Sequence, residues 1–283
     1  MTALGGPTAL RRIIGAEMRR LRTARGLTQR EVADQAGIEQ TSLPRYEGGI
    51  SSMSNPVAEK LLTIYGVDAE RQAELLDLVK RSRKRRPRGY ERTVVWEPVE
   101  DLISLERDAA TIQAVVLQAV PGVLQTEAYA RAMLSHGALG ADVVEDHVQA
   151  RLGRATIFDR EDLRYWVVVH EAALRCAVGG KAVMQAQLDH LCEMAKRRNV
   201  TVQVLPDSAG EHPAVAGSFT ILRFTIAPEY GLVYHDYLTG ALYLDEPEEV
   251  AQYDDAYLHL IKMALSEKAS LAFINKLSRE LYS

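Results

Sequence analysis

The chain has 283 residues, 47% of them hydrophobic, and a net charge of −4. That is enough apolar material to bury the cores of two ordinary domains, and it excludes a disordered polypeptide. No apolar run approaches the roughly 18 residues of a membrane span, and residues 1–12 lack the continuous apolar stretch of a signal peptide, so a cytoplasmic, nucleoid-associated protein with no membrane contact is expected.

The charge is unevenly spread. Residues 1–92 hold 18 Lys and Arg against 11 Asp and Glu, whereas residues 93–283 hold 16 against 27, giving +7 and −11. A basic front part attracts phosphate through counterion release and an acidic rear part is repelled by it, so only the front is expected to touch double-stranded DNA.

Residues 10–24 read as a first helix, with Ile13, Ile14, Met18 and Leu21 at helical spacing and Gly26 as its stop. Thr28-Gln29-Arg30-Glu31 has capping-box form and opens a second helix carrying Val32 and the small Ala33. Ala36, Gly37 and Ile38 form the turn, and Leu43 and Tyr46 belong to a third helix. Two short helices crossing steeply need a small residue at the contact, here Ala33, and a turn that tolerates positive φ, here Gly37. The exposed positions of the third helix are then Gln40, Thr41, Ser42 and Arg45, side chains able to hydrogen-bond base edges in a major groove. Gln29 is placed to meet a phosphate.

Pro44 complicates this helix. If Gln40 is its first residue, Pro44 is the fifth, just past the turn where proline is harmless, and the direction of Arg45 is open. Asn55-Pro56 reads as cap and first residue of a fourth helix, with Val57, Leu61, Leu62 and Ile64 inward and Gly66 closing it. Asp68 caps a fifth, with Leu75, Leu76, Leu78 and Val79 as its apolar face. It runs into residues 80–88, where seven of nine side chains are cationic. That run is either a solvated linker or an arm that tracks the DNA backbone. Arg30, Arg83, Lys84 and Arg85 are candidate phosphate contacts. The expected organisation is an all-α helix-turn-helix domain of five helices at 1–80, a basic linker at 81–92 and a second domain at 93–283.

The stretch from Met18 to Glu47, MRRLRTARGLTQREVADQAGIEQTSLPRYE, resembles the lambda-repressor-like, or xenobiotic-response-element, helix-turn-helix regulators. The resemblance implies base or phosphate contacts from Gln29, Gln40, Thr41, Ser42 and Arg45, and a helix-packing role for Glu47.

The rear part mixes periods. Helices are expected at 101–110, 126–134, 143–158, 184–198, 247–265 and 267–281, and strands at 114–120, 163–170, 200–205, 218–224, 232–237 and 241–244. Together they read as an α+β domain around a mixed or antiparallel sheet. His170-Glu171-Ala172-Ala173-Leu174 begins like a zinc-protease motif, but Leu174 stands where the second histidine must be, so no metal site is expected. Asp207-Ser208 with Glu211-His212 lies in a Pro/Gly-rich loop and reads as structure rather than catalysis. Gly179-Gly180 reads as a helix-to-helix turn, and Cys176 and Cys192, without CxxC spacing, as buried thiols. No cofactor motif and no convergent catalytic set emerges, so an enzyme tethered to DNA is the weakest of the readings.

The segments VPGVLQTEAYARAML, HEAALRCAVGG, QLDHLCEMAKRRNVTVQVLP and SFTILRF resemble the uncharacterised C-terminal domain of actinobacterial antitoxin-like transcriptional regulators. Two departures are Arg154-Ala155-Thr156, where that family often has an arginine-glutamine pair, and Asp236, where glutamate is usual. The resemblance implies a sensing or partner-binding role and often a small acidic partner protein. The expectation is a homodimeric transcriptional regulator whose rear domain receives a partner protein or a small-molecule effector. The alternative is an antitoxin-like protein that neutralises a small partner and binds DNA for autoregulation.

Overall fold

A computed structural model describes residues 9–83, 97–135, 141–225, 227–237 and 240–282. Contacts divide the chain into two compact units, Met1–Tyr90 with Phe224–Tyr230 and Glu91–Arg223 with Gly231–Ser283.

The first unit contains α1 (Ala9–Ala24), α2 (Gln29–Ala36), α3 (Ser42–Glu47), α4 (Asn55–Ile64) and α5 (Ala69–Ser82). Each boundary has a local chemical cause. The capping box at Thr28 is complete: the Glu31 amide donates to the Thr28 hydroxyl at 3.2 Å, and the Thr28 amide donates to the Glu31 carboxylate at 2.8 Å. Gly37 ends α2 at φ +65°, a conformation that costs glycine nothing. The cap of α4 is Ser54, one residue earlier than expected, so Pro56 takes the second helical position. Asp68 caps α5 through the Arg71 amide at 2.9 Å. Ile14, Met18, Val32, Ala36, Leu43, Leu61, Leu62 and Leu75 form one core behind these helices.

The second unit contains α6 (Glu97–Asp108), β1 (Ala109–Val116), α7 (Glu127–Leu134), α8 (Ala141–Arg154), β2 (Arg164–His170), α9 (Glu171–Arg175), α10 (Lys181–Met194) and β3 (Val200–Leu205). These are followed by β4 (Phe219–Phe224) and β5 (Ala227–Tyr237), of which Phe224–Tyr230 group with the first unit, and by β6 (Gly240–Leu244), α11 (Pro247–Met263) and α12 (Glu267–Leu277). The strands form a six-stranded mixed sheet in the order β3-β2-β1-β4-β5-β6. β1, β2 and β3 run parallel, with Val115 opposite Val168 and Val168 opposite Gln203. Parallel neighbours cannot be joined by a hairpin, which is why helices intervene between them. Both faces of β2 are covered, and Val167, Val168 and Val169 are all fully buried. β5 and β6 pair antiparallel, Tyr234 opposite Tyr243. α11 lays Val250, Tyr257 and Leu260 on the sheet face built from Val115, Val168, Ile221 and Val233. The edge of β3 is closed where the Leu265 amide donates to the Val204 carbonyl at 2.8 Å and the Val204 amide to the Ser270 hydroxyl at 2.9 Å.

Several expectations shift. β1 begins at Ala109, five residues before the expected start, and α6 ends at Asp108, two residues before its expected end. The helix expected through residue 158 stops at Arg154, and Ala155–Asp159 is a tighter 3₁₀ turn. α12 gives way to a π turn at Ser278–Tyr282. Cys176 is exposed and Cys192 half-buried, so neither is the fully buried thiol expected. Gly179 and Gly180, at φ +68° and +88°, do form the turn that precedes α10.

Candidate nucleic-acid interface

Glu47 is the centre of the helix-turn-helix. Its side chain is 1% exposed, and it accepts two hydrogen bonds from Arg22, Nε to Oε1 at 2.6 Å and Nη2 to Oε2 at 3.0 Å. Arg22 Nη1 also donates to the Leu27 carbonyl at 2.8 Å, and Gln29 Nε2 donates to Glu47 Oε2 at 2.8 Å. One carboxylate thereby ties the end of α1, the start of α2 and the end of α3. The hydrogen bonds it donates to Glu47 hold Arg22 above the ordinary arginine range despite burial. Gln29 reaches its place at the head of α2, with its amide nitrogen already engaged and the N-terminal amides of α2 beside it.

Gly15 makes this arrangement compact. A Cβ added there would lie 2.5 Å from the carbonyl oxygens of both Tyr46 and Glu47, so α1 and α3 meet backbone to backbone. A second clamp fixes α5. Glu17, 1% exposed, accepts from Arg20 Nε at 2.7 Å and from Arg71 Nη2 at 2.9 Å. Burial alone would raise its carboxyl, but the two arginines bring it below the usual carboxylate range.

On this frame the predicted contact residues fall together. Gln40, Thr41 and Arg45 are exposed and Ser42 half-exposed, all within one turn of the start of α3. Arg30 is exposed on α2. Gln40 and Thr41, however, precede the helix: Thr41 is its cap, in αR conformation with no side-chain capping bond, and a turn from the Ser42 amide to the Glu39 carbonyl closes in front of it. This removes the difficulty over Pro44. With Ser42 as the first helical residue, Pro44 is the third, and its missing amide is one that has no intrahelical partner in any helix. The direction of Arg45 is correspondingly defined: its Nε donates to the Ser51 hydroxyl at 3.0 Å, which leaves the two terminal nitrogens for a ligand. Arg83 is exposed at the end of α5, whereas Lys84 and Arg85 lie outside the described residues.

Glu17 is the residue that sequence reasoning missed. Its signal was present: it stands between Ile13 and Leu21 on the apolar stripe of α1, where a charge requires a partner. In the second unit, His170 caps α9 by accepting the Ala172 amide at 3.2 Å, and the Asp207 amide donates to Glu171 at 3.0 Å, so the loop at 207–212 is tied down by its neighbours. No group of three His, Cys, Asp or Glu among the described residues is arranged to hold a metal ion. No helix among them is long and apolar enough to cross a membrane.

No curated protein and no solved structure matches the chain. Residues 13–75, which contain both clamps and the exposed side chains of α3, match the family described as a helix-turn-helix domain, and the geometry is that of a DNA-binding regulator. Residues 99–276 match a domain of unknown function, and since that match takes in more than half of its length, the protein belongs to the DUF5753 family.

Proposed function

We propose that the protein is a sequence-specific transcriptional regulator that binds a near-palindromic operator as a homodimer, with a C-terminal domain that receives a signal rather than performing catalysis. The observation that carries this reading is the display of Gln40 and Thr41 just ahead of, and Ser42 and Arg45 on, a short helix held by Glu47. One recognition helix reads only a half-site, and two copies supply the affinity and specificity of a regulator. A partly open cavity in the second unit, with both polar and apolar lining, supports a small-molecule signal.

Gel-shift titration against the protein's own promoter and a random duplex, at matched salt, tests the reading. Gln40→Ala and Arg45→Ala should each cost about 1–3 kcal/mol of discrimination between the two duplexes. Arg30→Ala should weaken both equally and reduce the salt slope by about one. No preference of the wild-type protein for its promoter refutes it.

The exposed side chains of Tyr237 and Leu242, on the paired strands β5 and β6, support a second reading, in which this domain binds a small acidic partner as an antitoxin would. Co-expression with the product of the neighbouring small gene distinguishes the two, because only the antitoxin reading requires a stable complex.

A further inference from the structure

The second unit contains a partly open cavity of about 280 Å³ lined from seven elements and the loop that follows β1. α8 contributes Arg151 and Arg154, α6 contributes Glu106, β2 contributes Tyr165, β5 contributes Tyr234 and Asp236, and the loop contributes Gln125. The remaining wall is largely apolar, with Leu102, Ile112, Val123 and Phe219 among its residues.

Two arginines meet here and only one is neutralised. Arg154 forms a bidentate pair with Glu106, Nε to Oε2 at 2.9 Å and Nη2 to Oε1 at 2.7 Å, with the two side chains 9% and 5% exposed. Arg151 has no such partner. Among the described residues its one hydrogen bond is from Nη1 to the neutral Oε1 of Gln125 at 2.9 Å, and no carboxylate of theirs lies within ion-pair distance, the charge of Asp236 acting on it only from farther off. Burial, and then the charge of Arg154, draw its guanidinium below the ordinary arginine range. A half-buried guanidinium beside a second one is costly unless an anion compensates it.

Two phenols stand on the same wall, and Asp236 contributes the one further carboxylate among the described lining residues. Tyr165 and Tyr234 are 3% and 4% exposed and line the cavity. The wall is held in place: Gln125 Nε2 donates to the Val120 carbonyl at 2.7 Å, and Gln187 bridges the Thr126 amide and the Leu124 carbonyl at 2.7 and 2.8 Å. Gly122 admits the arginines, since a Cβ there would stand 3.1 Å from Arg154 Nη1 and 3.7 Å from Arg151 Cδ.

We propose that this cavity binds a small organic monocarboxylate, its oxygens forked on Nε and Nη2 of Arg151 and its apolar body against the hydrophobic wall. The two phenols donate to the same group. An Arg fork matches the planar carboxylate in both distance and angle. The volume falls just below the range for drug-sized ligands, and the exposed carboxylate of Asp236 on the cavity wall opposes polyanions. This inference rests on the reading of the C-terminal domain as the receiver of a signal.

The test is calorimetric titration of the full chain with acetate, benzoate and phenylacetate, each beside its uncharged amide. At least one carboxylate should bind saturably, at one site per chain and tenfold or more tighter than its amide. Arg151→Gln should abolish that preference. Tyr165→Phe, which removes only a hydroxyl, should weaken the carboxylate several-fold with the melting temperature unchanged, and it decides the matter if Arg151→Gln does not fold. Equal affinity for acid and amide, or a preference that survives both substitutions, overturns the proposal. Operator affinity measured with and without the bound acid separates the two claims. Binding without any effect on operator affinity leaves the site standing and removes the signalling reading. An effector that changes operator affinity while no carboxylate binds does the reverse.

Discussion

Glu47→Ala tests the central clamp. The substitution leaves the Arg22 guanidinium, whose side chain is 11% exposed, without its two charge-assisted hydrogen bonds, and frees the Gln29 amide. Removing one member of a buried ion pair costs about 3–5 kcal/mol, because the remaining charge stays desolvated. For a domain of this size, at roughly 4–8 °C per kcal/mol, that is a fall of ~12 °C or more in the melting temperature. Hydrogen exchange on the full chain reads the same quantity locally. Protection of the α1–α3 amides should drop by about two orders of magnitude or more, at 1.36 kcal/mol per tenfold, while β1–β3 are unchanged. The paired variant Arg22→Met with Glu47→Leu removes both charges and should recover most of the loss, since replacing a buried pair by apolar groups of similar volume is close to neutral. A loss below about 1 kcal/mol for Glu47→Ala, the level of an exposed ion pair, refutes the assignment of Glu47 as the tie between three helices.

Gly15→Ala sets two effects against each other: helix propensity favours Ala by about 1 kcal/mol, but the added Cβ meets two carbonyl oxygens at 2.5 Å, and overpacking costs roughly 1–3 kcal/mol or more. A net fall in melting temperature is expected, and a rise contradicts the backbone contact of α1 with α3. Pro44→Ala should cost under about 1 kcal/mol, through the freer unfolded chain alone. A gain approaching ~3 kcal/mol in urea unfolding would mean that Pro44 occupies a helix interior after all. The Glu17 carboxyl lies below its unfolded value, so its contribution is present above the unfolded pKa and is lost as pH falls through the folded one. The first unit should therefore lose stability in acid below the ordinary carboxylate range. Urea midpoints compared at pH 7 and pH 3 should show a smaller fall for Glu17→Gln than for the wild-type chain.

The helical unit was legible where its causes are local. The capping box at Thr28, the glycine stops at Gly26 and Gly37 and the cap at Asp68 each act within a few residues, and the structure has them as the sequence implies. The opening of α3 was not legible. Thr41 makes no side-chain cap; the phase of the helix is set by burying Leu43 and by drawing Glu47 onto Arg22, which is 25 positions away in the chain. Once that phase is known, Pro44 changes from an obstacle into a residue of the first turn.

In the second unit the β-branched run at 167–169 marked a buried strand, but the start of β1 in Ala109-Ala110 carries no such signal. Strand order and parallel pairing depend on crossovers tens of residues long, and no local pattern specifies them. The cavity is the extreme case: Gln125, Arg151, Tyr165 and Tyr234 span 110 positions and meet only through the sheet and the helix beside it. Local chemistry in the sequence thus determined where helices begin and end and which side chains of the helix-turn-helix face outward. Tertiary packing alone decided which charges are paired, which donors are left without partners and what they surround, because burial and neighbours from distant elements set those energies.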